Sequence, residues 1–426
     1  MTKIAGWGNH PRRSTTTIRA ETIRALKRAI VESEHILPTG NHHSYGDASL
    51  ADTILDMRRL DRILHFDEKH GVLKAEAGIT LDALLEVIVP RGWFLAITPG
   101  TKHVTLGGCI AGNVHGKNHH RIGSFANSLV DCTIMLADGE AVVASRSRRP
   151  DLFFATLGGM GLTGVICEAT IRLRKIPSSY ADAQHLRCEN LTDLLSVLER
   201  TDKRYEYTVA WIDSSARGEG FGRGIVMAGN HSTRGNLSIH KTPRITIPRI
   251  PRILHPPLIR LFNTLYYQIS RSGERRVHYD AFFYPLDKIN AWNRLYGKNG
   301  FIQYQCALPN PDALRKILAT LSASKTASPL TILKRMQKED LPLGFALEGY
   351  TLAIDLPTSP DAQRLIDELD VIVERAGGRI NLTKDSQMSA AFFARSYPHI
   401  ETWKAVKHKY DPNRKFTSDL ARRLGL

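Results

Sequence analysis

The stretch PGTKHVTLGGCIAGNVHGKNHH, residues 99–120, is the part of the sequence that says most about the fold. Glycines allow a backbone to approach a flat or phosphorylated ligand closely, and this stretch holds Gly100, Gly107, Gly108, Gly112 and Gly116. Three of its four histidines, His115, His119 and His120, fall within six positions. No cysteine or carboxylate accompanies them at metal-ligand spacing. We therefore predict a ligand-binding loop and no metal site.

A second loop of this kind lies earlier in the chain. LPTGNHHSYGD, residues 37–47, continues a β-like run and is dense in Gly, Asn and Ser. Such a loop can direct several backbone N–H groups at one anion and so hold a pyrophosphate. Many ordinary turns share this composition, so the motif alone does not separate the two interpretations.

The apolar pattern around these loops predicts a mixed α+β chain. Apolar residues at helical spacing predict a helix over residues 18–31, and Thr80 is the predicted N-cap of a helix that reaches residue 89. A second region begins near residue 205. The predicted strands of this region are residues 205–212, 301–308 and 350–356. Its predicted helices are residues 194–200 and 312–321.

Two turn motifs constrain the connections. Asp138-Gly139 favours a tight hairpin turn between the runs LVDCTIML and AVVAS. Residues 159–164, GMGLTG, match the pattern G-x-G-x-x-G, but that fingerprint follows a strand and opens a helix. Here the preceding PDLFFATL is typical of a helix and the following GVICEATIRL of a strand. We predict a tight helix-to-strand turn under a cofactor and no nicotinamide-binding unit.

Composition sets the broad class. The 426 residues include 58 Lys+Arg and 42 Asp+Glu, a formal net charge of +16. This length corresponds to about two or three domains, and the charge suggests an anionic partner such as nucleic acid or a lipid surface. The five cysteines form no CxxC pair, which argues against a disulfide framework. No run approaches the ~18 apolar residues of a spanning helix. Because the N-terminus lacks the apolar stretch of a secretory signal, we expect a cytoplasmic protein.

Much of the excess charge lies between Arg217 and Arg260. This segment has eight basic residues against one acid, Glu219, and its core KTPRITIPRIPRILHPPLIRLF contains five prolines. We predict a basic, proline-rich loop over 217–260, because prolines prevent a regular helix. Basic residues interleaved with Ile and Leu suit an anionic membrane surface. A mobile solvated loop is the alternative, and the pattern leaves both open.

Several motifs together resemble the flavin oxidases of the vanillyl-alcohol oxidase superfamily, and within it the oxidases of polyprenyl-phosphoryl ribose, along almost the full chain. The specific motifs are HGKNHH at 115–120 and GFIQYQ at 300–305. The shorter ones are Gly6-Trp7-Gly8, Ser44-Tyr45-Gly46-Asp47, Pro99-Gly100-Thr101, LFFATLGGMGLTG at 152–164, Trp292-Asn293-Arg294, Lys384-Asp385-Ser386 and SDLARRL at 418–424.

The resemblance implies an α+β fold in two parts. Residues 1–178 would form a two-lobed FAD-binding domain of the vanillyl-alcohol oxidase type, to which residues 379–426 return. Residues 179–378 would form a substrate-binding domain built on an antiparallel sheet with helices. The loop at 217–260 would belong to this second domain.

The resemblance also implies a site, residue by residue. FAD is the implied cofactor, and its implied binding residues are Thr39, Gly40, Asn41, His42, His43, Ser44, Tyr45, Gly46, Gly100, Thr101, Thr105, Gly107, Gly108, His115, Gly116, Asn118 and Ile166. The implied substrate-binding residues are Gln303, Gln305, Lys334 and Thr351. The implied catalytic residues are Lys384, His115 and Tyr45.

Alcohol oxidation by a flavin explains these roles. Hydride leaves the carbinol carbon while the hydroxyl loses a proton, so a cation or base is needed near that oxygen. Lys384 is expected to bind the hydroxyl, and His115 or Tyr45 to relay its proton. A solvated surface lysine, a loop-bracing tyrosine and a structural histidine remain the alternatives to these roles.

The chain also departs from the family at particular positions. Ala353 stands where the mycobacterial members carry a cysteine that covalent nitroaromatic inhibitors attack, and Thr351 and Asn381 stand where the family usually has Asn and Tyr. His43-Ser44 reproduces the dipeptide at which aldonolactone-type oxidases of the superfamily link FAD covalently. We expect non-covalent FAD, with a bond to His43 as the alternative.

The implied reaction is oxidation of the 2-hydroxyl of a polyprenyl-phosphoryl-β-D-ribose to the 2-keto sugar. The expected partners are that lipid-linked substrate, an NAD-dependent short-chain reductase that acts on the keto product, and an anionic membrane surface, without nucleic acid. The expected location is peripheral at the inner membrane, on the cytoplasmic side, with the periplasmic side open. One alternative is an aldonolactone or sugar-alcohol oxidase with a soluble substrate. The other, suggested only by charge, is a non-catalytic basic protein that binds membranes or nucleic acid.

Overall fold

The computed structural model describes residues 1–239 and 244–426. Its first sheet has the strand order β1-β2-β4-β3, and β2, β3 and β4 run parallel to one another. These strands are β1 (Thr2–Ala5), β2 (Arg12–Arg19), β3 (Leu37–Thr39) and β4 (Thr53–Asp56). The strand β3 ends at Thr39, so the sheet places the first glycine-bearing loop at its edge.

A second, antiparallel sheet has the order β5-β6-β10-β8-β9, with β7 paired to the far end of β10. Its strands are β5 (Ile63–Asp67), β6 (Val72–Glu76), β7 (Trp93–Leu95), β8 (Leu129–Met135), β9 (Ala141–Ser145) and β10 (Val165–Lys175). The predicted hairpin is confirmed, because β8 and β9 pair antiparallel around Gly139, whose φ of 81° requires the left-handed region.

The largest sheet has eight antiparallel strands in the order β15-β11-β13-β12-β18-β19-β17-β20, and β14 and β16 form a separate short pair. The strands are β11 (Tyr180–Cys188), β12 (Tyr207–Ile212), β13 (Gly224–His231), β14 (Ile245–Thr246), β15 (Gly273–His278), β16 (Ile289–Asn290), β17 (Phe301–Leu308), β18 (Thr331–Met336), β19 (Gly349–Pro357) and β20 (Arg379–Ile380). The predicted α+β class, with an antiparallel sheet in the second half, is therefore confirmed.

Helices cover one face of the large sheet. Leu198 of α6, Leu314 of α9 and Leu369 of α10 are buried against Cys306 and Leu352 in one core. The helices are α1 (Ile23–Glu32), α2 (Leu81–Ile88), α3 (Leu106–Ala111), α4 (His119–Ile122), α5 (Pro150–Thr156), α6 (Leu191–Arg204), α7 (Pro256–Ile269), α8 (Tyr279–Phe283), α9 (Pro311–Ala323), α10 (Pro360–Arg375), α11 (Ala390–Ser396), α12 (Ile400–Tyr410) and α13 (Asp419–Leu424). The other face of the sheet carries Gln303 and Gln305 of β17 and Lys334 of β18.

The sequence predicts helix ends and turns correctly where a capping residue or a turn glycine marks them. Thr80 caps α2 and accepts a hydrogen bond from the backbone N–H of Ala83. The 159–164 glycines join α5 to β10, as predicted, and Gly161 has a φ of 77°. The helix predicted over 18–31 is wrong at its start. Residues up to Arg19 pair with β4, and the helix begins only after the N-cap Thr22.

The prediction of one loop over 217–260 is also wrong. Residues 224–231 form β13 inside the large sheet, and a regular helix, α7, begins at Pro256. Prolines at the first positions of a helix lack only N–H groups that would be unpaired there anyway, so they start a helix instead of preventing it. Lys241 of this segment lies outside the described residues.

The C-terminal residues contact the N-terminal region of the chain. The Trp403 indole N–H donates to the Ala155 carbonyl at 2.8 Å, and the buried Lys407 donates to the Leu162 carbonyl at 2.8 Å. Arg423 donates to both carboxylate oxygens of Asp47 at 2.8 and 2.9 Å. The domain boundaries at 178 and 378 stay a prediction, although the first falls in the link between β10 and β11.

Candidate functional site

The face of the large sheet opposite α6, α9 and α10 carries polar side chains in register. Strand residues alternate between faces, so Gln303 and Gln305 of β17 point away from the core side, which Tyr304 and Cys306 face. On β19, Asp355 lies opposite Gln303 and Ala353 opposite Gln305. Lys334 of β18 pairs with Thr351 of β19, which places both on the same face. Three adjacent strands thus present one polar surface.

His115 connects this surface to the second glycine-rich loop. Its Nδ1 lies 3.2 Å from Lys334 Nζ, and its Nε2 lies 3.0 Å from Gln305 Nε2. Burial, reinforced by the Lys334 ammonium, holds the pKa of His115 well below its usual range, so the imidazole is neutral. Burial also lowers the pKa of Lys334 to about 8. A small cavity, lined also by Asn113 and Met160, opens beside His115.

Gln305 organises the centre of the surface. Its amide Nε2 donates to Thr351 Oγ1 at 3.0 Å, and its Oε1 accepts from Asn381 Nδ2 at 3.0 Å. Asn381 in turn accepts the Thr383 hydroxyl and backbone N–H at 2.8 and 3.0 Å. The loop that holds Lys384 is therefore tied to β17 through side-chain hydrogen bonds.

Lys384 and Tyr45 meet at the edge of the same surface. Lys384 Nζ lies 3.7 Å from the centroid of the Tyr45 ring, a cation–π contact. Burial lowers the pKa of Lys384 to about 7, which the Asp355 carboxylate partly opposes. Burial raises the pKa of Tyr45 well above its usual value, so its phenol keeps its proton. Near neutral pH, Lys384 can therefore either donate or accept a proton.

Asp355 is a member of this site that the sequence prediction missed. Its Oδ1 accepts from Gln303 Nε2 at 2.6 Å, and its Oδ2 is buried without a hydrogen-bond partner in the described part of the chain. Burial raises the pKa of Asp355 to about 7. The only signal in the sequence was an aspartate at an alternating position in the strand YTLAIDL, where most neighbours are apolar.

The two glycine-bearing loops pack against each other without space for side chains. A Cβ on Gly40 would lie 2.1 Å from Thr105 Oγ1, and one on Gly46 would lie 1.6 Å from the Asp385 carbonyl oxygen. Thr105 caps α3 by accepting from the Gly108 N–H at 3.2 Å. The first loop thus touches both the α3 turn and the loop of Lys384.

The side chains of the first loop are partly held and partly free. Asn41 Nδ2 donates to the His103 carbonyl at 2.8 Å, and Ser44 Oγ donates to Ser49 Oγ at 2.8 Å. His42 has a φ of 50°, and its buried Nδ1 has no hydrogen-bond partner among residues 1–239 and 244–426. A buried, unpaired polar atom beside a glycine cradle fits a ligand that supplies hydrogen-bonding groups. Thr39 ends β3, and its carbonyl accepts from the Met57 N–H at 3.0 Å.

His43 has an aromatic neighbour. Its ring stacks on Trp7 with centroids 4.8 Å apart, and its Nδ1–H donates to the Asn41 carbonyl at 2.8 Å. Burial lowers the pKa of His43 to about 4. The ring is neutral and oriented, and non-covalent FAD, with a bond to His43 as the alternative, stays a prediction.

The other predicted cofactor residues occupy the second loop and β10. Gly100 has open space around it, Thr101 Oγ1 accepts from the His103 N–H at 3.3 Å, and Asn118 Nδ2 donates to the Ala96 carbonyl at 3.0 Å. A Cβ on Gly116 would lie 2.7 Å from the Thr98 carbonyl oxygen.

Ile166 is further from these loops. Its side chain packs in a hydrophobic core, so any contact with a cofactor would use its backbone. Next to it, the Cys167 carbonyl accepts from Ala77 N–H, and the Ala77 carbonyl accepts from Gly107 N–H at 2.7 Å. Two backbone hydrogen bonds therefore join this part of β10 to the glycine turn.

The arrangement fits FAD and gives no support to a metal. The loops offer a backbone cradle beside the buried His42 imidazole, and the cavity beside His115 is also lined by Asn381, whose side chain bonds to Gln305. Among residues 1–239 and 244–426, no three His, Cys, Asp or Glu side chains are grouped to hold a metal ion. Cys109, Cys132, Cys167, Cys188 and Cys306 are all buried and unbridged.

Two family models match this chain. The family model described as the FAD binding domain matches residues 16–145, and the one described as D-arabinono-1,4-lactone oxidase matches residues 310–424. The first range includes the glycine loops and His115. The second includes Lys334, Thr351 and Lys384.

Full-length relatives are also found. The chain is 31% identical to the decaprenylphosphoryl-β-D-ribose oxidase of Mycolicibacterium smegmatis, across 100% of this chain and 97% of the relative. It is 33% identical to an uncharacterized protein in the mprA 5′ region of Streptomyces coelicolor, across 82% of this chain and 100% of the relative. It is 23% identical to the L-gulono-1,4-lactone dehydrogenase of Mycobacterium tuberculosis (strain H37Rv), across 96% of this chain and 94% of the relative.

Proposed function

This chain belongs to the decaprenylphosphoryl-β-D-ribose oxidase family of FAD-dependent oxidoreductases, and on that premise we propose that it oxidises the 2-hydroxyl of a polyprenyl-phosphoryl-β-D-ribose to the 2-keto sugar. The observation that carries the proposal is the pair of half-buried lysines, Lys384 and Lys334, on one polar face beside the glycine loops. A non-catalytic protein is no longer an alternative, because the family consists of oxidoreductases.

Lys384 is the residue that handles the proton of the hydroxyl. Bound FAD supplies the hydride acceptor for such an oxidation. A hydroxyl that loses its proton develops negative charge on oxygen, and a lysine with a pKa of about 7 can hydrogen-bond that oxygen or take up its proton. The Tyr45 ring holds the Lys384 side chain from one side, and its neutral phenol can pass a proton onward without a stable charge.

The sheet surface positions the sugar. Gln303 is held by Asp355, and Gln305 by Thr351 and Asn381, so both amides have fixed orientations before a ligand arrives. Fixed amides distinguish a sugar hydroxyl from a hydrogen at the same carbon. Lys334 supplies positive charge on the same face, which suits the phosphate of a lipid-linked sugar.

The keto product needs a second enzyme. Reduction from the opposite face of the sugar would complete an epimerisation from ribose to arabinose, and an NAD-dependent short-chain reductase is the class of enzyme that performs it. We propose such a reductase as the functional partner of this protein.

Bleaching of the flavin spectrum tests the substrate. Anaerobic addition of a polyprenyl-phosphoryl ribose to the FAD-loaded protein should bleach the visible absorbance, whereas free ribose and aldonolactones should not. Bleaching by an aldonolactone at comparable concentration would instead support a soluble-substrate oxidase, the activity that the match at residues 310–424 suggests. If none of the three compounds bleaches the flavin, the proposed reaction is refuted.

A further inference from the structure

The helix α7 exposes an apolar face that nothing in the described part of the chain covers. The exposed side chains recur at helical spacing along one side, which is the pattern of an amphipathic helix. They are Leu258, Leu261, Phe262, Leu265 and Ile269, with 44, 54, 48, 48 and 72% exposure. Large apolar residues exposed in a contiguous patch mark an interaction surface.

The opposite side of α7 is firmly anchored, so the exposed face has a fixed direction. Asn263 is fully buried and donates to the Ser328 carbonyl at 3.0 Å. Tyr267 is buried beneath the guanidinium groups of Arg187 and Arg223, which lie 4.4 and 4.6 Å from its ring centroid. The apolar side chains are therefore exposed on a helix that is packed firmly against the rest of the protein.

Positive charge flanks this helix in the sequence. Residues 244–276 contain seven arginines and one acidic residue, Glu274. Arg249, Arg271 and Arg275 are exposed on either side of the helix in sequence, and Ile245 is 70% exposed. Basic residues flanking an apolar stripe complement the anionic headgroups and the acyl chains of a bilayer at the same time.

The helix is too short to cross a bilayer. Its 14 residues extend about 21 Å, against the ~30 Å of a hydrocarbon core. Within residues 1–239 and 244–426, no helix has both the length and the apolar character to span a membrane. A helix of this kind lies in the plane of the interface.

The apolar face lies on the same side of the large sheet as the polar site. Tyr267 packs in a cluster with Trp211 and Ile225, against which Ile332 also packs. Ile332 precedes Lys334 by two residues on β18, so both point to one face. A bilayer that binds the exposed face of α7 would therefore lie close to the face of the sheet that carries Lys334.

The basic segment before α7 leads toward the first glycine loop. The Ile247 and Ile253 N–H groups donate to the carbonyls of Asn290 and Leu295 at 3.0 and 3.1 Å. In the same stretch, Asn293 Nδ2 donates to the Trp7 carbonyl at 2.9 Å, and Trp7 stacks on His43.

We propose that the exposed face of α7, with the arginines of residues 244–276, is a membrane-docking surface for an anionic lipid bilayer. The five apolar side chains enter the boundary between headgroups and acyl chains, and the arginines contact lipid phosphates. The protein is then a peripheral membrane protein, oriented so that a lipid-linked sugar reaches the site without leaving the bilayer. Only this last consequence rests on the proposed substrate, because docking itself needs no sugar.

Vesicle sedimentation with the FAD-loaded full chain tests the proposal. Vesicles of phosphatidylcholine with about 30% phosphatidylglycerol should sediment the protein, and pure phosphatidylcholine should sediment much less. The triple variant Leu261→Gln, Phe262→Gln, Leu265→Gln should bind at least about tenfold more weakly. The matched control Val31→Gln, Leu64→Gln, Val371→Gln changes side chains of 50, 41 and 45% exposure elsewhere and should bind as the wild type does.

The charge contribution has its own variant. Arg249→Gln, Arg271→Gln, Arg275→Gln should weaken binding to the anionic vesicles by at least about tenfold and reduce its salt dependence. Unchanged binding by the α7 triple variant, or an equal loss in the control, would overturn the proposal. A second outcome would also overturn the proposal: the wild type does not bind vesicles and is a dimer, and the α7 triple variant is a monomer. The α7 face would then join two copies of the chain.

Substrate oxidation is measured separately. Flavin bleaching by a detergent-dispersed polyprenyl-phosphoryl ribose should be unchanged in the α7 triple variant, because none of the three residues belongs to the polar site. Loss of vesicle binding with intact bleaching supports the docking surface. If the protein binds vesicles but no lipid-linked ribose bleaches its flavin, the proposed substrate is refuted and the membrane-docking surface is still supported.

Discussion

Replacement of Lys384 by methionine should make the protein more stable and nearly inactive. Burial lowers the pKa of this lysine from 10.5 to about 7, and one pKa unit corresponds to about 1.4 kcal/mol. Charging Lys384 in the folded protein therefore costs at most about 5 kcal/mol relative to water, a ceiling because the side chain keeps partial exposure. Methionine removes this cost and loses the contact with Tyr45, worth about 2 kcal/mol. We expect a net gain of at most about 3 kcal/mol in unfolding free energy at pH 6.

The gain should depend on pH in one direction. The folded state releases the Lys384 proton near pH 7, whereas the unfolded state keeps it until about pH 10.5, so unfolding takes up a proton between these values. The wild type therefore becomes more stable as the pH rises through this window, and the advantage of Lys384→Met shrinks by about 1.4 kcal/mol for each pH unit. Below pH 7 the advantage is constant.

Urea unfolding at pH 6 and pH 9, followed by tryptophan fluorescence, measures this difference. Lys316→Met changes an exposed lysine on α9 and should alter stability by less than about 0.5 kcal/mol at either pH. Stopped-flow reduction of the flavin by substrate should be at least about 100-fold slower in Lys384→Met. A stability difference that is the same at both pH values would show that the ammonium is not desolvated, and the reasoning would fail.

Three further outcomes follow from close contacts and missing groups. Gly46→Ala should lower the unfolding free energy by at least about 2 kcal/mol and weaken FAD retention, because its Cβ would lie 1.6 Å from the Asp385 carbonyl oxygen, whereas Gly100→Ala should change stability by less than about 0.5 kcal/mol. Acid precipitation should leave FAD in a yellow supernatant, and a yellow pellet that becomes colourless in His43→Ala would establish the covalent link instead. Nitroaromatic compounds that modify the family's cysteine should leave the intact mass of this protein unchanged, since Ala353 has no thiol, and a stable adduct would contradict this.

The elements that the sequence predicted well are those with local signals. Thr80 caps a helix because its hydroxyl reaches the N–H of Ala83, and Asp138-Gly139 makes a hairpin because glycine adopts a positive φ without strain. The start of α1 was wrong because strand pairing of residues 16–19 with β4 is a long-range effect that outweighs helical spacing. The prediction for the proline-rich segment was wrong for a local reason, because Pro256 and Pro257 stand at the start of a helix.

The candidate site divides along the same line. The motifs placed Gln303, Gln305 and Lys384 near one another, but no spacing in the sequence shows that Asp355 joins them, since its partner Gln303 lies on a strand that is 52 residues away. The exposed face of α7 was hidden for a similar reason. Its leucines are indistinguishable from ordinary core positions in the sequence until the packing shows that Ile259, Asn263 and Tyr267 face the interior instead.

The alternation of β19 has a consequence for how this enzyme can change over evolution. Thr351, Ala353 and Asp355 face the site, while Leu352 and Ile354 between them face the core. Selection can therefore exchange the outward residues to suit a different sugar without disturbing the hydrophobic packing that keeps the domain folded. Directed evolution for a new substrate should find its beneficial mutations at odd-numbered positions of this strand, and its inactivating ones at the even-numbered neighbours.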